Sequence, residues 1–509
     1  STMRFSGTFA RCRVKVPLKR MVEQGLLYVV TGLPEHMMYT SMQHASLYRD
    51  AKARELSEDA QAMVRMLERN LPMAFSSSDT TQRQSIAVIG SGIAGMSAAW
   101  LLSKKHDVTV YEKNDRLGGH SNTVTVETSL GATPVDTGFI VFNDATYPNL
   151  IALFEHLGVA TEVSDMSFGV SLRGGKTEYS SVDTSAFLCG GRNLISPRFW
   201  SMTWDLLRFY RSAPLDLLRT RDQLISLGEY LNQRGYGEAF QRDHLLPQAA
   251  AIWSASMSDI HLYPAFAFVR FFENHGLLKL NGRPKWRTVE GGSQAYVRKL
   301  TADYAERARL NAGAVSVRRD GAGVWVRDAH GRTDRYDDVV IAAHGDEALA
   351  MLEDPSTEER ELLGAFKYAK NRAVLHTDPS FMPRREPLWA SWNYVGDDPD
   401  GGCVVTYWMN KLQNIQSREQ IFLTLNPRVE PRPETVLYQT DYDHPLFDAA
   451  AMRAQERLWS LQGVQNTWFC GAHFGSGFHE DGLQAGLAVA EQLGGVRRPW
   501  TVENESGRI

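Results

Sequence analysis

The chain has 509 residues, 43% hydrophobic and 22% charged, with a net charge of −4, a globular composition without the positive excess that would favour nucleic acid. Its four cysteines, Cys12, Cys189, Cys403 and Cys470, form no CxxC pair and indicate neither a disulfide framework nor a zinc site, so reduced thiols in a cytoplasmic protein are expected. No run of about 18 apolar residues is present, so no spanning helix is expected.

Arg4, Arg11, Arg13, Lys15, Lys19 and Arg20 open the chain without an intervening acid, and the short apolar run Gly25–Leu33 follows. Such a segment either packs on the body as a solvated arm or makes peripheral contact with an anionic membrane at its inner face, through residues 1–33. Leu56, Ala60, Met63, Val64 and Leu67 fall at helical spacing and predict an amphipathic helix over about 45–70. The polar stretch from Ser76 to Gln84 reads as a linker, which makes residues 1–84 an extension.

The body opens with an apolar strand, Ile86–Ile89, that runs into Gly90-x-Gly92-x-x-Gly95 and a helix of small residues. This pattern places a dinucleotide pyrophosphate at a helix N-terminus. A second strand, Asp107–Tyr111, ends at Glu112, where an acidic side chain can accept both ribose hydroxyls of an adenosine. The unit by itself serves FAD and NAD alike.

Residues 197–245 carry Trp, Leu, Phe and Arg at helical spacing. Val315–Val317, Val324–Arg327, Val339–Ala343, Ala373–His376, Leu388–Trp392, Cys403–Trp408 and Ile421–Leu425 read as strands. Near the C-terminus, Asn466 to Ala490 reads as strand, glycine-rich turn and small-residue helix, a second nucleotide-type unit. No metal-ligand spacing and no nucleophile triad stands out.

Arg116-Leu-Gly118-Gly119-His120, directly after Glu112, resembles the Arg-x-Gly-Gly extension of glutathione-reductase-type FAD proteins, above all the flavin amine oxidase and phytoene desaturase superfamily. Adjacent glycines let backbone amides approach an extended flavin, and the arginine offers charge to phosphate. The resemblance is closest to bacterial flavoproteins associated with lipid methyltransferases and furan fatty acid desaturases. It rests on His120–Val124, Val135–Asn143, Tyr147–Leu150, Trp286–Ser293 and Gly477–Gly482. It implies FAD as cofactor, held by Gly90, Gly92, Gly95, Glu112, Arg116, Gly118 and Gly119, and at the far end by Gly471, Asp481, Gly482 and Gln484. For Asp481, as for Glu480, helix capping is the other role, and the two can coexist.

The fold so implied is α/β. A GxGxxG-type FAD-binding domain is assembled from residues 85–165, 287–352 and 460–509, and a mixed-sheet and helical substrate domain from 166–286 and 353–459. The implied activity is dehydrogenation, desaturation or double-bond isomerisation of an apolar acyl chain, with a lipid methyltransferase as pathway partner. A flavin amine oxidase releasing hydrogen peroxide and a flavin protein without net redox work are the alternatives. His120 either fixes the flavin loop by a hydrogen bond or moves a proton. Trp286, Trp392 and Tyr407, with Tyr394 and Trp408, either line an apolar channel or pack in the core, and His275 and Asp136 read as structural residues.

Overall fold

The computed structural model describes residues 83–509 apart from 221–224, 254–256, 280–281, 397–403 and 508. The described residues belong to one compact unit, Thr81–Ile509. The basic arm, the apolar run and the amphipathic helix expected over 45–70 all lie outside the described residues, as do Cys12 and Cys403.

Ser85–Ile89 is buried on both faces, as a central strand of a parallel sheet must be, and it pairs in parallel with Asp107–Tyr111 on one side and Asp338–Ile341 on the other. Ala308–Arg309 and Thr467–Phe469 complete the five strands, so the sheet gathers segments from nearly the whole described chain. A second sheet of seven strands runs in the order Val436–Leu446, Lys367–His376, Phe422–Leu425, Val405–Trp408, Trp392–Gly396, Phe168–Leu172, Thr177–Ser180. Its pairings are antiparallel except for Trp392–Gly396 beside Phe168–Leu172. Leu388–Trp392 is not one strand, contrary to expectation. Glu386–Leu388 is a short 3-10 turn with a proline in its first positions, and extended pairing starts only at Trp392.

The helices of the described residues include α1 (Ile93–Ser103), α2 (Pro197–Thr220), α3 (Ala265–Asn274) and α4 (His479–Leu493). Helix α1 is apolar on every side and buried from Ile93 to Leu102, because the sheet lies under it and α4 packs across it. Glycines at 482 and 486 permit that approach: a Cβ at Gly482 would stand 2.9 Å from Ile93 Cγ2. Helix α2 is amphipathic and packs on α3, whose Phe271 and C-cap His275 face the interior.

Candidate active site

The glycines of the first turn have three separate jobs. Gly90 adopts a φ of +95°, and a Cβ there would meet the Ala342 carbonyl oxygen at 2.5 Å, so the chain can cross the end of the neighbouring strand only as glycine. At Gly95 a Cβ would fall 1.9 Å from the Gly90 oxygen, which sets the close approach of α1 to its strand. Gly92 precedes α1 in extended conformation without a side-chain cap, and a Cβ built there meets no atom within 4 Å. Gly92 instead borders a cavity of about 370 Å³. Uncapped first-turn amides facing an open cradle fit a pyrophosphate.

Glu112 is buried at the end of the second strand, accepting hydrogen bonds from Ser91 N at 3.0 Å and Asn114 N at 2.9 Å. The Ser91 hydroxyl donates to it as well, so the carboxylate is fixed beside the glycine turn. Arg116 bonds the carbonyl oxygens of Gly119 at 2.9 Å and Ser121 at 3.3 Å, and thereby holds the Gly118–Gly119 loop against Gly92. A Cβ at Gly119 would stand 2.9 Å from Gly92 Cα.

Segments near both ends of the described residues meet at the cavity. Gly471 borders it, whereas Asp481, Gly482 and Gln484 stand behind its wall in the first turns of α4. Asp481 accepts from Phe478 N at 2.8 Å as a cap, Gly482 adjoins Ile93, and Gln484 donates to Glu480 at 3.0 Å. Buried Glu480 in turn accepts from the backbone amides of Asn149 and Leu150, tying α4 to the start of the helix Pro148–Leu157.

Trp286, Trp392 and Tyr407 all line the same cavity. Trp392 and Tyr407 are cross-strand partners with ring centroids 4.8 Å apart at 79°, an edge-to-face pair. Tyr394 and Trp408 do not line it. Asp136 is also outside: its carboxylate accepts from Ser293 N and Oγ, Thr123 Oγ1 and Gln413 Nε2, and burial raises its pKa to about 6 against those bonds. It is a structural knot between two loops. His275 stacks on Phe271 at 3.8 Å and bonds its carbonyl oxygen, yet it reaches the cavity wall.

His120 borders the cavity with its Nε2 buried and without a hydrogen-bond partner among the described residues. Its ring lies 4.9 Å from Tyr442 and 5.4 Å from His444. Burial first, then neighbouring histidines, drives its pKa well below 6.5, so it is neutral near pH 7. His344, His444, His473 and His479 join it in the wall, and burial lowers each of them, to about 4 for His444 and about 3 for His473 and His479. Asn371 Nδ2 donates to His444 Nδ1 at 3.0 Å, which places the His444 proton on Nε2. Asp443 is the one carboxylate in the described wall, and neither Lys nor Arg contributes to it.

Sequence reasoning did not single out His344, His444, His473 or His479. A signal was present for His344, which follows the strand Asp338–Ile341 at the carboxyl end of the parallel sheet, where such folds bind ligands.

The sequence profile of the flavin containing amine oxidoreductases matches residues 93–401. No curated protein sequence matches. Among solved structures, putrescine oxidase bound to putrescine is 15% identical, with 81% of this chain and 99% of that chain covered and a TM-score of 0.59. Cyclohexylamine oxidase from Brevibacterium oxydans IH-35A is 18% identical over 81% and 100% of the two chains, with a TM-score of 0.59. A CLA-producing fatty acid isomerase from P. acnes is 16% identical over 81% and 98%, again at 0.59. These likenesses establish the fold, and the profile, spanning more than half of the sequence, establishes the lineage. The chain belongs to the flavin containing amine oxidoreductase family, and FAD is the cofactor that its glycine cradle fits.

Proposed function

We propose that the chain is an FAD-dependent oxidoreductase that dehydrogenates, desaturates or isomerises an apolar acyl chain, a fatty acyl group of a phospholipid. The observation that carries this reading is the wall of the cavity. Ile140, Met166, Phe168, Trp392, Leu423 and Leu425 give it apolar surface, His120, His344, His444, His473 and His479 around it are neutral, and its single acid among the described residues is Asp443. A charged substrate would lose its hydration there with little to replace it, whereas a hydrocarbon chain loses none. The fatty acid isomerase among the neighbours supports a lipid on this fold.

Bound FAD supplies the acceptor for a hydride leaving a substrate carbon. The chain's own part is to bind, to exclude water and to manage the remaining proton. His120 Nε2, neutral and without a partner among the described residues, takes that proton, and the aromatic pair Trp392–Tyr407 holds the acyl segment. When a proton must return, as an isomerisation requires, the protonated His120 gives it back, and His444, neutral with its N–H at Nε2, donates a hydrogen bond beside it.

The amine oxidase reading is favoured by the family and by two of the neighbours. Anaerobic mixing separates the two. Phospholipids with unsaturated or methyl-branched acyl chains should bleach the oxidised flavin near about 450 nm, transiently if the net reaction is isomerisation, and primary amines should not. Rapid bleaching by amines, with acyl lipids inert and their double bonds unmoved, would replace the acyl reading. A lipid methyltransferase acting on the same chain fits as the pathway partner.

A further inference from the structure

Helix α2 presents two opposed faces. Phe199, Met202, Leu206, Phe209 and Ala213 are buried at helical spacing, and this stripe seats the helix on the body. Its acids, Asp205 and Asp216, are buried as well: Asp205 pairs with Arg208 at 2.9 Å and accepts from Gly237 N, and Asp216 pairs with Arg234 at 2.8 Å. The opposite stripe reads Trp200, Trp204, Arg208, Arg211 and Leu215, with no acid in it.

That stripe is open. Trp204 is 71% exposed, Leu215 68% and Trp200 47%, and they are joined by Ile195, 87% exposed, and Leu194 in the turn that leads into the helix. The Trp200 indole N–H donates to the Leu194 carbonyl oxygen at 2.9 Å, so turn and helix form one surface. Arg192 and Arg211 are exposed at its two ends and have no carboxylate within salt-bridge distance among the described residues. From Trp200 to Leu215 the stripe runs for about 22 Å.

We infer that α2 and the turn before it dock on an anionic phospholipid bilayer, lying in the plane of its surface. Trp204 suits the headgroup level, where an amphipathic ring keeps its N–H wet and its body apolar, and Trp200, whose N–H is held by Leu194, adds the apolar face of its ring. Arg192 and Arg211 give the surface a positive sign that complements anionic lipid, and a protein partner with a plain apolar groove would leave them unanswered. No described helix is long and apolar enough to cross a membrane, so the contact is peripheral. Helix α3, on which α2 packs, supplies Phe271 and His275 to the cavity wall, which sets the docked face one helix away from the active site. The docking goes beyond the acyl reading and stands without it, because its test reads binding and not turnover.

The sequence provides a selective probe. All 12 tryptophans lie at or beyond Trp100, so neither the basic arm nor any residue before 100 contributes indole fluorescence. The full chain is mixed with vesicles of phosphatidylglycerol and phosphatidylcholine whose acyl chains carry bromine, a short-range quencher. The protein should sediment with the vesicles, its tryptophan emission should be quenched, and the quenching should disappear in Trp200→Phe/Trp204→Phe. Arg192→Gln and Arg211→Gln should each weaken binding by about five-fold, and salt should do the same. Absence of vesicle binding overturns the inference. So does binding without bromine quenching, which would assign the contact to the arm, and so does quenching that survives replacement of both tryptophans. Unchanged affinity in the two arginine variants overturns it too.

Discussion

Gly486 of α4 rests directly on Ala94 of α1: a Cβ at 486 would fall 2.1 Å from the Ala94 carbonyl oxygen and 2.3 Å from Ser97 Oγ. The helix that begins the nucleotide unit is therefore clamped by the last helix of the chain, and both borders of the cavity depend on the clamp. Because the opposing atom is backbone, it cannot swing aside. Gly486→Leu should cost more than about 3 kcal/mol, beyond ordinary overpacking, and give a protein with a much lower melting temperature or none in soluble form. A melting temperature equal to that of the parent chain would show that the two helices are not in this contact.

Gly92→Leu should behave in the opposite way. Nothing stands within 4 Å of the new Cβ and the backbone there is extended, so the fold should tolerate it, within about 1 kcal/mol. The side chain would instead fill the cradle at the start of α1. The expected product is a folded, colourless protein, checked by the ratio of flavin to protein absorbance beside a thermal melt. A fully yellow Gly92→Leu protein would put the pyrophosphate elsewhere.

These two glycines also show what the sequence makes legible. Gly90, Gly92, Gly95 and Glu112 stand in a fixed local order, because one strand, one turn and one helix impose it, and the structure repeats that order. Gly486 carries no such signal: its need for glycine comes from Ala94, far away in the chain. The same holds for the histidines. His344, His444 and His473 come from separate segments, and only the packing of the two sheets brings them to one cavity. Trp392 and Tyr407 were legible as aromatic residues in strands, whereas Tyr394 and Trp408, equally aromatic, stay out of the cavity wall. At Leu388–Trp392 an apolar run looked like strand, and Pro387 broke it.

Acid should weaken the fold. His444, His244 and His376 have folded pKa values of about 4, and His473 and His479 of about 3, against 6.5 in a free chain, each because burial disfavours the cation. Between pH 6.5 and 4 the unfolded chain therefore binds more protons than the folded one, so stability falls as pH falls through that window and is level above it. Each unit of the window costs up to about 1.4 kcal/mol per histidine. Asp136, raised to about 6, has the opposite sign and offsets only part. Urea midpoints should drop steadily from pH 7 to pH 4.5, and midpoints that stay constant would mean that these imidazoles are hydrated.

In the proposed acyl chemistry the proton step would fall on His120. Its Nε2 is buried without a partner among the described residues, in the wall of the cavity, and its pKa lies well below 6.5 because of burial and the neighbouring His444 and His344. It is thus already in the basic form across neutral pH, so the rate should not decline as pH is lowered through 6.5. His120→Phe keeps a ring of similar breadth beside Tyr442 while removing the nitrogen, and should retain bound flavin. Turnover should fall by about 10²–10⁴-fold, the usual worth of a positioned base. Under pre-steady-state mixing the loss should appear in the step that bleaches the flavin and not in the affinity for the acyl lipid. A variant that keeps the parent rate but loses flavin would assign His120 to holding the cofactor loop. A rate that halves near pH 6.5 in the parent protein would mean a hydrated imidazole with an ordinary pKa, and the proton would then need another acceptor.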